Sequence, residues 1–249
     1  MININIPLMR IKSAQNYFPG EEIGGIILQD GTTEFFKNLS KDKQNHYIAN
    51  PYETEKFEKD IYCTFHTHVN QDHNLSEFDR LISEKQKVPM LVYSNLTNNF
   101  EFYEPKGIKI PLLNRPFILG IFDCTELVKD YYEEVLNIRF PKHDFFHWRL
   151  LTYEEMVKSP YNKEEYINVF VDYYRGLGFS KVTKNIQKGD IVFFPERDVK
   201  PACHVSVYDG NGVFYDQPSK SPSRKRTLKN FVSKGKVFQK SIAVMRKTS

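Results

Sequence analysis

The sequence predicts an α+β fold in two domains, each with helices and a small, mostly antiparallel sheet. A chain of 249 residues fits two domains of about 100–150 residues each. Pro105, Gly107 and Pro111 interrupt the pattern at one place. An acidic first part also gives way to a basic second part there. We therefore place the domains at residues 1–108 and 109–249.

The composition indicates a globular protein and excludes several other classes. Hydrophobic residues make up 40% and charged residues 27% of the chain. The chain has no apolar run close to the roughly 20 residues that cross a bilayer, so no membrane span is expected. The N-terminus lacks a basic stretch followed by an apolar one, so no secretory signal is expected. Three widely spaced cysteines favour synthesis in a reducing cytoplasm over a disulfide scaffold.

The net charge of +4 is concentrated in a basic segment, residues 219–236. Such a segment could touch nucleic acid or an anionic wall polymer. No recognisable nucleic-acid-binding motif accompanies it. We interpret it as a solvated surface loop and expect no specific nucleic-acid partner.

The first domain is predicted to contain four strands and one helix. The strands lie at 23–28, at 61–68 and, as two further strands, within 91–104. Ser76 would cap the helix, whose apolar face would consist of Phe78, Leu81 and Ile82. The helix is expected to end before Pro89.

The second domain is predicted to begin with a helix at about 124–136, capped by Asp123. A second helix would span about 162–175 and end at Gly176. Four short strands are expected at 190–194, 204–208, 213–217 and 237–245. The turn at 209–212 would join the middle two as a hairpin.

A metal site is predicted in the first domain. Strand alternation places His66 and His68 on one face, close enough to hold one ion. Ser76 and Asp79 follow, which gives the string H-x-H-x7-S-x2-D. Catalytic zinc sites keep three protein ligands and an open position, and His66, His68 and Asp79 would supply the three. Ser76 and Asp79 are also typical of a capping box.

Together with Glu22 in an E-x-x-G context, this string resembles the JAMM (MPN) metallopeptidase signature. The resemblance implies a Zn²⁺ cofactor, Glu22 as general base and Ser76 as hydrogen-bond donor to the oxyanion. Neighbouring Glu21 is an alternative to Glu22. A further histidine pair within 143–147 lacks the glutamate of H-E-x-x-H, and we interpret it as packing or surface.

A thiol site is predicted in the second domain. Cys124 lies in the first turn of a helix, where free N–H groups and the helix dipole favour a thiolate. A G-D-I-V-F-F strand beginning at Gly189 and an H-V-S-V-Y strand beginning at His204 follow. With the D-C-x-x-L-V helix, they resemble the NlpC-type cysteine peptidases, papain-like enzymes that cut bacterial wall peptides. The resemblance implies Cys124 as nucleophile and His204 as general base.

A third residue should orient the imidazole of His204. An odd hairpin loop would place Asp216 opposite His204, and an even loop would place Gln217 there. We favour Asp216, because a carboxylate stabilises an imidazolium better, although many relatives have histidine at this position. Cys63 and Cys203 are expected in the core.

The two domains in this order resemble the tail-assembly protein K family of long-tailed phages. The resemblance implies a JAMM/MPN-like zinc metallopeptidase fold followed by a papain-like NlpC-type fold. It further implies a peptidase of the virion tail tip, made in the host cytoplasm and acting on peptide or isopeptide bonds of peptidoglycan. Its partners would be other tail-tip proteins and peptidoglycan stem peptides. The alternatives are a structural tail-tip component with little or no catalysis, and a cellular JAMM-type isopeptidase.

Overall fold

A computed structural model of the chain describes residues 3–49, 53, 57, 60–118, 120–140, 171–196, 199–219 and 221–248. The chain divides into two compact units, Met1–Ile110 and Pro111–Ser249. The division falls two residues after the boundary expected from the sequence. The histidine pair within 143–147 and most of the helix predicted at 162–175 lie outside the described residues.

The first unit is built on a five-stranded sheet with helices packed against it. Its described helices are α1 (Asn5–Tyr17) and α2 (Glu77–Gln86). Its strands are β1 (Gly24–Leu28), β2 (Thr33–Phe36), β3 (Ile61–His68), β4 (Met90–Ser94) and β5 (Asn99–Tyr103). The strand order is β2-β1-β3-β4-β5, and among the strands described here only the pair β3–β4 is parallel. The predicted strands are confirmed, whereas the sequence pattern does not predict α1 or β2.

Strand β3 has one face in the core of this unit. Cys63 and Phe65 are buried there with Leu8 and Ile11 of α1. Because side chains alternate along a strand, His66 lies on the other face. The core position predicted for Cys63 is confirmed.

Helix α2 begins at the predicted cap, Ser76, and ends before Pro89 as expected. Its predicted apolar face is wrong in one position, since Phe78 is 54% exposed. The helix instead buries Glu84, whose carboxylate accepts hydrogen bonds from Tyr103 and from the backbone N–H of Lys106. A hydrophobicity pattern does not reveal a buried carboxylate with such distant partners.

The second unit contains a six-stranded antiparallel sheet. Its described helices are α3 (Cys124–Leu136), α4 (Lys229–Ser233) and α5 (Lys236–Lys240), and residues 171–176 are also helical. Its strands are β6 (Phe179–Lys181), β7 (Ile191–Glu196), β8 (Val199–Gly210), β9 (Val213–Asp216), β10 (Arg224–Thr227) and β11 (Ala243–Lys247). The strand order is β10-β9-β8-β7-β11-β6.

Two predictions for this unit are wrong in part. The strand expected at 237–245 is helical up to Lys240, and only β11 is extended. The basic segment 219–236, expected as a loop, contains β10 and α4. Strand β10 pairs with β9. Its residues are all polar, so no apolar pattern marks this strand in the sequence. None of the helices in the described ranges is long and apolar enough to span a bilayer.

Helix α3 packs across this sheet and carries Cys124 at its first position. The predicted bounds and cap of the helix are confirmed: Asp123 accepts hydrogen bonds from the N–H groups of Thr125 and Glu126. Leu127 and Val128 are buried in the same core as side chains of β8. The N-terminus of α3 is therefore fixed against the sheet.

Arg115 is a buried cation that fixes the start of the second unit. Its side chain is 1% exposed and forms an ion pair with Asp130 of α3. The guanidinium also donates to the carbonyl of Pro111. The backbone N–H of Arg115 donates to Ser223 Oγ over 2.9 Å, next to β10. One side chain thus joins α3 to the segment that precedes it.

Replacing Arg115 with methionine is expected to lower the free energy of unfolding by about 3 kcal/mol, because Asp130 then loses a buried partner. Urea denaturation followed by circular dichroism measures the change. The control is Arg139→Met, since Arg139 is 84% exposed and its ion pair with Glu133 lies at the surface. That variant should lose less than about 1 kcal/mol. Equal losses in the two variants would contradict the prediction.

Candidate functional site

His66, His68 and Asp79 converge in the first unit. One nitrogen of each histidine and one carboxylate oxygen lie within 4.8 Å of one another. His66 Nε2 is 3.7 Å from Asp79 Oδ1. Strand β3 supplies the histidines at alternate positions, and the first turn of α2 supplies the aspartate. The structure therefore brings together the three residues predicted as ligands, in an arrangement that could hold a metal ion.

Hydrogen bonds hold two of the three predicted ligands, His68 and Asp79, and each bond uses an atom that the metal would not need. His68 Nδ1 lies 2.6 Å from the carbonyl oxygen of Asp72, which favours Nδ1 as the protonated nitrogen and leaves Nε2 for a metal. Asp79 Oδ2 accepts from the backbone N–H and the hydroxyl of Ser76, over 2.8 and 2.7 Å. Asp79 Oδ1 faces His66. The capping box and the metal-ligand role are therefore compatible, because they use different oxygens.

Glu22 is a buried acid close to this cluster. It is 2% exposed, and burial followed by the charges of Asp79 and Asp42 raises its pKa to about 8. Its Oε1 is buried without a hydrogen-bond partner in the described part of the chain. Glu21, the sequence alternative, is half-exposed and pairs with Lys43 at 3.1 Å. The charge of Asp79 therefore acts on Glu22, whereas Glu21 forms an ion pair with Lys43.

His66 has an electrostatic environment suited to ligating a metal. Burial, followed by the neighbouring His68, lowers the pKa of His66, while the charge of Asp79 raises it. Burial has the largest effect, so the pKa of His66 lies below its ordinary value. An imidazole that is neutral at pH 7 has the lone pair that a metal needs. Tyr47 stacks on the ring of His66 with centroids 6.4 Å apart, and its pKa is raised by burial. The sequence patterns do not single out Tyr47.

A buried network holds the segment that carries Glu22. Gln15 Nε2 donates to the carbonyl oxygens of Phe18 and Glu21, over 2.6 and 2.9 Å. Thr67, between the two histidines, donates its hydroxyl proton to Gln15 Oε1 and accepts from the N–H of Ile23. Gln15 and Thr67 are fully buried. They fix Glu22 relative to β3 and were not singled out by the sequence patterns.

The glycine of the E-x-x-G context has a packing reason. A Cβ on Gly25 would lie 1.8 Å from the carbonyl oxygen of Glu34, on the neighbouring strand. A side chain at this position would therefore push β1 away from β2. Glycine at this position therefore allows β1, the strand that follows Glu22, to pair closely with β2.

Cys124, His204 and Asp216 come together in the second unit. Cys124 is buried in the first turn of α3 and forms a side-chain hydrogen bond with His204 on β8. His204 Nε2 lies 2.5 Å from Asp216 Oδ1, on β9. Asp216 is 1% exposed. The arrangement joins a sulfur, an imidazole and a carboxylate in a row.

The electrostatics of this row favour an imidazolium. Burial alone would lower the pKa of His204, but its hydrogen bonds with Asp216 and Cys124 raise it to about 9. Burial would raise the pKa of Asp216, but His204 holds it well below its usual range. His204 is therefore positively charged at neutral pH, and such a neighbour favours a reactive thiolate.

The register of the β8–β9 hairpin differs from both sequence alternatives. Val207 pairs with Tyr215, which places Ser206 rather than His204 across from Asp216. Asp216 reaches His204 diagonally on the same face, and Ser206 Oγ donates to Asp216 Oδ1 over 2.8 Å. The ladder shifts between Tyr208 and Gly210, so loop length alone does not give the pairing.

Gln217, the other candidate, is occupied elsewhere. Its Nε2 donates to the carbonyl oxygen of Pro116 over 2.8 Å. Cys63 lies in the other unit, and burial raises the pKa of its thiol to about 12. The side chain of Cys203 lies outside what the structure describes.

Two arginines of β10 also border Asp216. Arg224 Nη2 and Arg226 Nε lie 3.4 and 3.5 Å from Asp216 Oδ2. Sequence reasoning missed both, and the available signal was their spacing by two in a short basic stretch. That spacing puts two cations on one face once the stretch is recognised as a strand.

The G-D motif of β7 has a structural role. Asp190 is fully buried, and Arg246 of β11 donates to both of its oxygens over 2.7 and 2.8 Å. Asp190 also accepts the N–H of Gln187, and Gly189 has a φ of +91°, which favours glycine. The motif therefore joins β7 to β11 and keeps β7 in register with β8, which carries His204.

Comparisons with known proteins identify the family of the second unit and one relative of the chain. The model of the NlpC/P60 family matches residues 114–241, just over half of the chain. The tail tip assembly protein K of Escherichia phage N15 is 27% identical over 177 residues, which cover 69% of this chain and 68% of that relative. The matched length exceeds that of the second unit, so the likeness extends into the first. The chain belongs to the NlpC/P60 family, with a papain-like domain in its second unit, and is similar to phage tail assembly protein K.

Proposed function

We propose that the second unit is a cysteine peptidase in which Cys124 is the nucleophile, His204 the general base and acid, and Asp216 the residue that orients the imidazole. The observation that carries this proposal is the contact of Cys124 with His204, which Asp216 holds from the other side. Membership of the NlpC/P60 family supports the same assignment.

The reaction follows from these positions. The Cys124 thiolate attacks the carbonyl carbon of the scissile bond, and a thioester forms as the C–N bond breaks. His204 gives its proton to the leaving amine. Neutral His204 then takes a proton from water as the water oxygen attacks the thioester carbonyl, the C–S bond breaks, and the Cys124 thiolate and the imidazolium are restored. Asp216 stabilises the imidazolium whenever the ring is charged.

The substrate we propose is the peptide of bacterial peptidoglycan. The similarity to a phage tail tip assembly protein supports a place at the tail tip of a virion, with other tail-tip proteins as partners. The protein would be made in the host cytoplasm and would open the cell wall locally when the tail meets it. Each unit would act as a separate domain, with the boundary near residue 110.

For the first unit we propose a JAMM/MPN-like zinc metallopeptidase. Protein atoms bound at about 2.1 Å to a tetrahedral zinc ion lie about 3.4 Å apart, and the 3.7 Å between His66 Nε2 and Asp79 Oδ1 fits this closely. Two imidazoles and one carboxylate are a donor set that zinc prefers. The unpartnered Oε1 of buried Glu22 also fits a site completed by an ion and its water. His66, His68 and Asp79 would hold the metal.

The chain's own residues have clear tasks in this first site. A bound zinc ion supplies Lewis-acid activation of the scissile carbonyl and of water. Glu22, buried beside this cluster, would take a proton from water and return it to the leaving amine. The hydroxyl proton of Ser76, held by Asp79 in this structure, would turn to the developing oxyanion.

Incubation with defined muropeptides tests the proposal, with products identified by mass spectrometry. The expected result is cleavage within the stem peptide by the full chain. A Glu22→Gln variant separates the contribution of the first site. Intact muropeptides, under conditions in which Cys124 reacts readily with an alkylating reagent, would contradict the peptidase. They would favour a structural role, which agrees with the word "assembly" in the relative's name.

A further inference from the structure

Strand β10 places two guanidinium groups beside the Cys–His–Asp row. The nearest nitrogens of Arg224 and Arg226 lie 3.4 and 3.5 Å from Asp216 Oδ2, while Asp216 Oδ1 binds His204. One carboxylate therefore faces three cationic groups. Lys225, between the arginines, points elsewhere, because its ammonium lies 4.8 Å from the centre of the Tyr215 ring.

The charges of this cluster do not balance. Even with Cys124 as a thiolate, the cluster holds two negative groups, the thiolate and the Asp216 carboxylate. It holds three positive groups, which are the imidazolium of His204 and the guanidinium groups of Arg224 and Arg226. A partly buried site with one excess positive charge attracts an anion. The peptide bond to be cut carries no charge of its own, so the anion would come from another part of the substrate.

Arg226 is held in a fixed position and has a donor that is not used. Its Nε forms the ion pair with Asp216, whereas its Nη2 is buried and has no hydrogen-bond partner among the described residues. The guanidinium lies 5.1 Å from the centre of the Phe194 ring, and this ring stacks with His204 at 6.5 Å. Such packing restrains the planar fork that binds a carboxylate through two hydrogen bonds. Arg224 is half-exposed, so its remaining donors can be reached from solvent.

We propose that Arg224 and Arg226 form an anion subsite that binds a carboxylate of the peptide substrate, so that this site selects acidic peptides. The proposal rests on the proposed function of Cys124 as nucleophile. Two side chains, His204 and Asp216, separate the thiol from the arginines. The recognised carboxylate would therefore lie within about two residues of the scissile bond.

The test compares two thiol reagents of equal length, 6-maleimidohexanoic acid and its primary amide, which differ only in charge. Site-resolved mass spectrometry gives the rate at Cys124 for each. The full chain is expected to react faster with the acid. In the Arg224→Gln/Arg226→Gln double variant the acid-to-amide ratio should fall roughly tenfold, because two nearby positive charges are lost. In 1 M salt the ratio of the unmodified chain should also fall.

The matched control is Lys225→Gln, which removes one positive charge from the same strand, at a side chain that lies on the opposite face. Its ratio should equal that of the unmodified chain, and Arg226→Lys should keep part of the preference. Since the amide rate is the denominator in every variant, a general change in reactivity or folding cancels. Equal ratios in the unmodified chain and the double variant would overturn the subsite. Slow reaction with both reagents in the unmodified chain would instead contradict Cys124 as nucleophile.

Discussion

Replacing Cys124 with alanine is expected to lower the rate of peptide cleavage by the second unit by at least about a thousandfold. The sulfur is the atom that forms the covalent bond, and neither His204 nor Asp216 can take over this step. Initial rates on a muropeptide that the full chain cleaves measure the loss. Cys63→Ala is the matched control, because this thiol is buried in the other unit and has its pKa raised to about 12.

The same variant should leave metal binding unchanged, since His66, His68 and Asp79 lie in the first unit. Cleavage that persists at full rate in the Cys124→Ala variant would show that the first site, or another mechanism, performs the reaction. Cleavage that also disappears in Cys63→Ala, with the fold intact, would remove the distinction between the two thiols. Either result would contradict the assignment of the nucleophile.

The pH dependence follows from the imidazole. Below pH 9 His204 carries the proton that the leaving amine needs, and above its pKa of about 9 this proton is lost. Cleavage should therefore fall as the pH rises through about 9, whereas alkylation of Cys124, which needs only the sulfur, should not. In Asp216→Asn the carboxylate that raises the pKa of His204 is gone, so the decline should move to lower pH.

Local patterns predicted the parts of this protein that depend on neighbours in sequence. Asp123 and the first turn of α3 were predictable because a cap and an amphipathic helix act over a few residues. The spacing of His66, His68 and Asp79 was also readable, since a strand and a helix start put them within reach.

Contacts between distant residues explain what the sequence could not reveal. Gln15 binds Thr67 across 52 positions, and no periodicity connects them. Ser206 enters the thiol site because the β8–β9 ladder shifts by a bulge, which loop length does not encode. The sequence pattern indicated that Arg224 and Arg226 lie in a solvated basic loop. In the structure, β10 pairs with β9, and this pairing places both arginines beside Asp216. Buried polar groups of this kind are the hardest to infer, because their partners are chosen by the fold.

Replacing His68 with alanine is expected to weaken zinc binding by more than about a hundredfold, because one of three protein ligands is lost. Isothermal titration of the chelator-treated full chain with zinc measures the affinity, and elemental analysis gives the stoichiometry, expected as one ion per chain. The matched control is His73→Ala. His73 lies in the loop after β3, where its ring nitrogens bond to Thr97 and Asn99, and it is not part of the ligand cluster.

The position of Asp79 sharpens this test, because the residue has a structural role as well. Asp79→Asn can keep an oxygen for the hydrogen bonds from Ser76, so helix α2 should remain capped while the ligand charge disappears. A loss of zinc affinity at unchanged thermal stability therefore reports the ligand and not the cap. Glu22→Gln should retain zinc, since Glu22 is assigned to proton transfer. Stoichiometric zinc retained by a chain lacking His66, His68 and Asp79 together would show that the metal binds elsewhere, and the first unit would then lose its catalytic assignment.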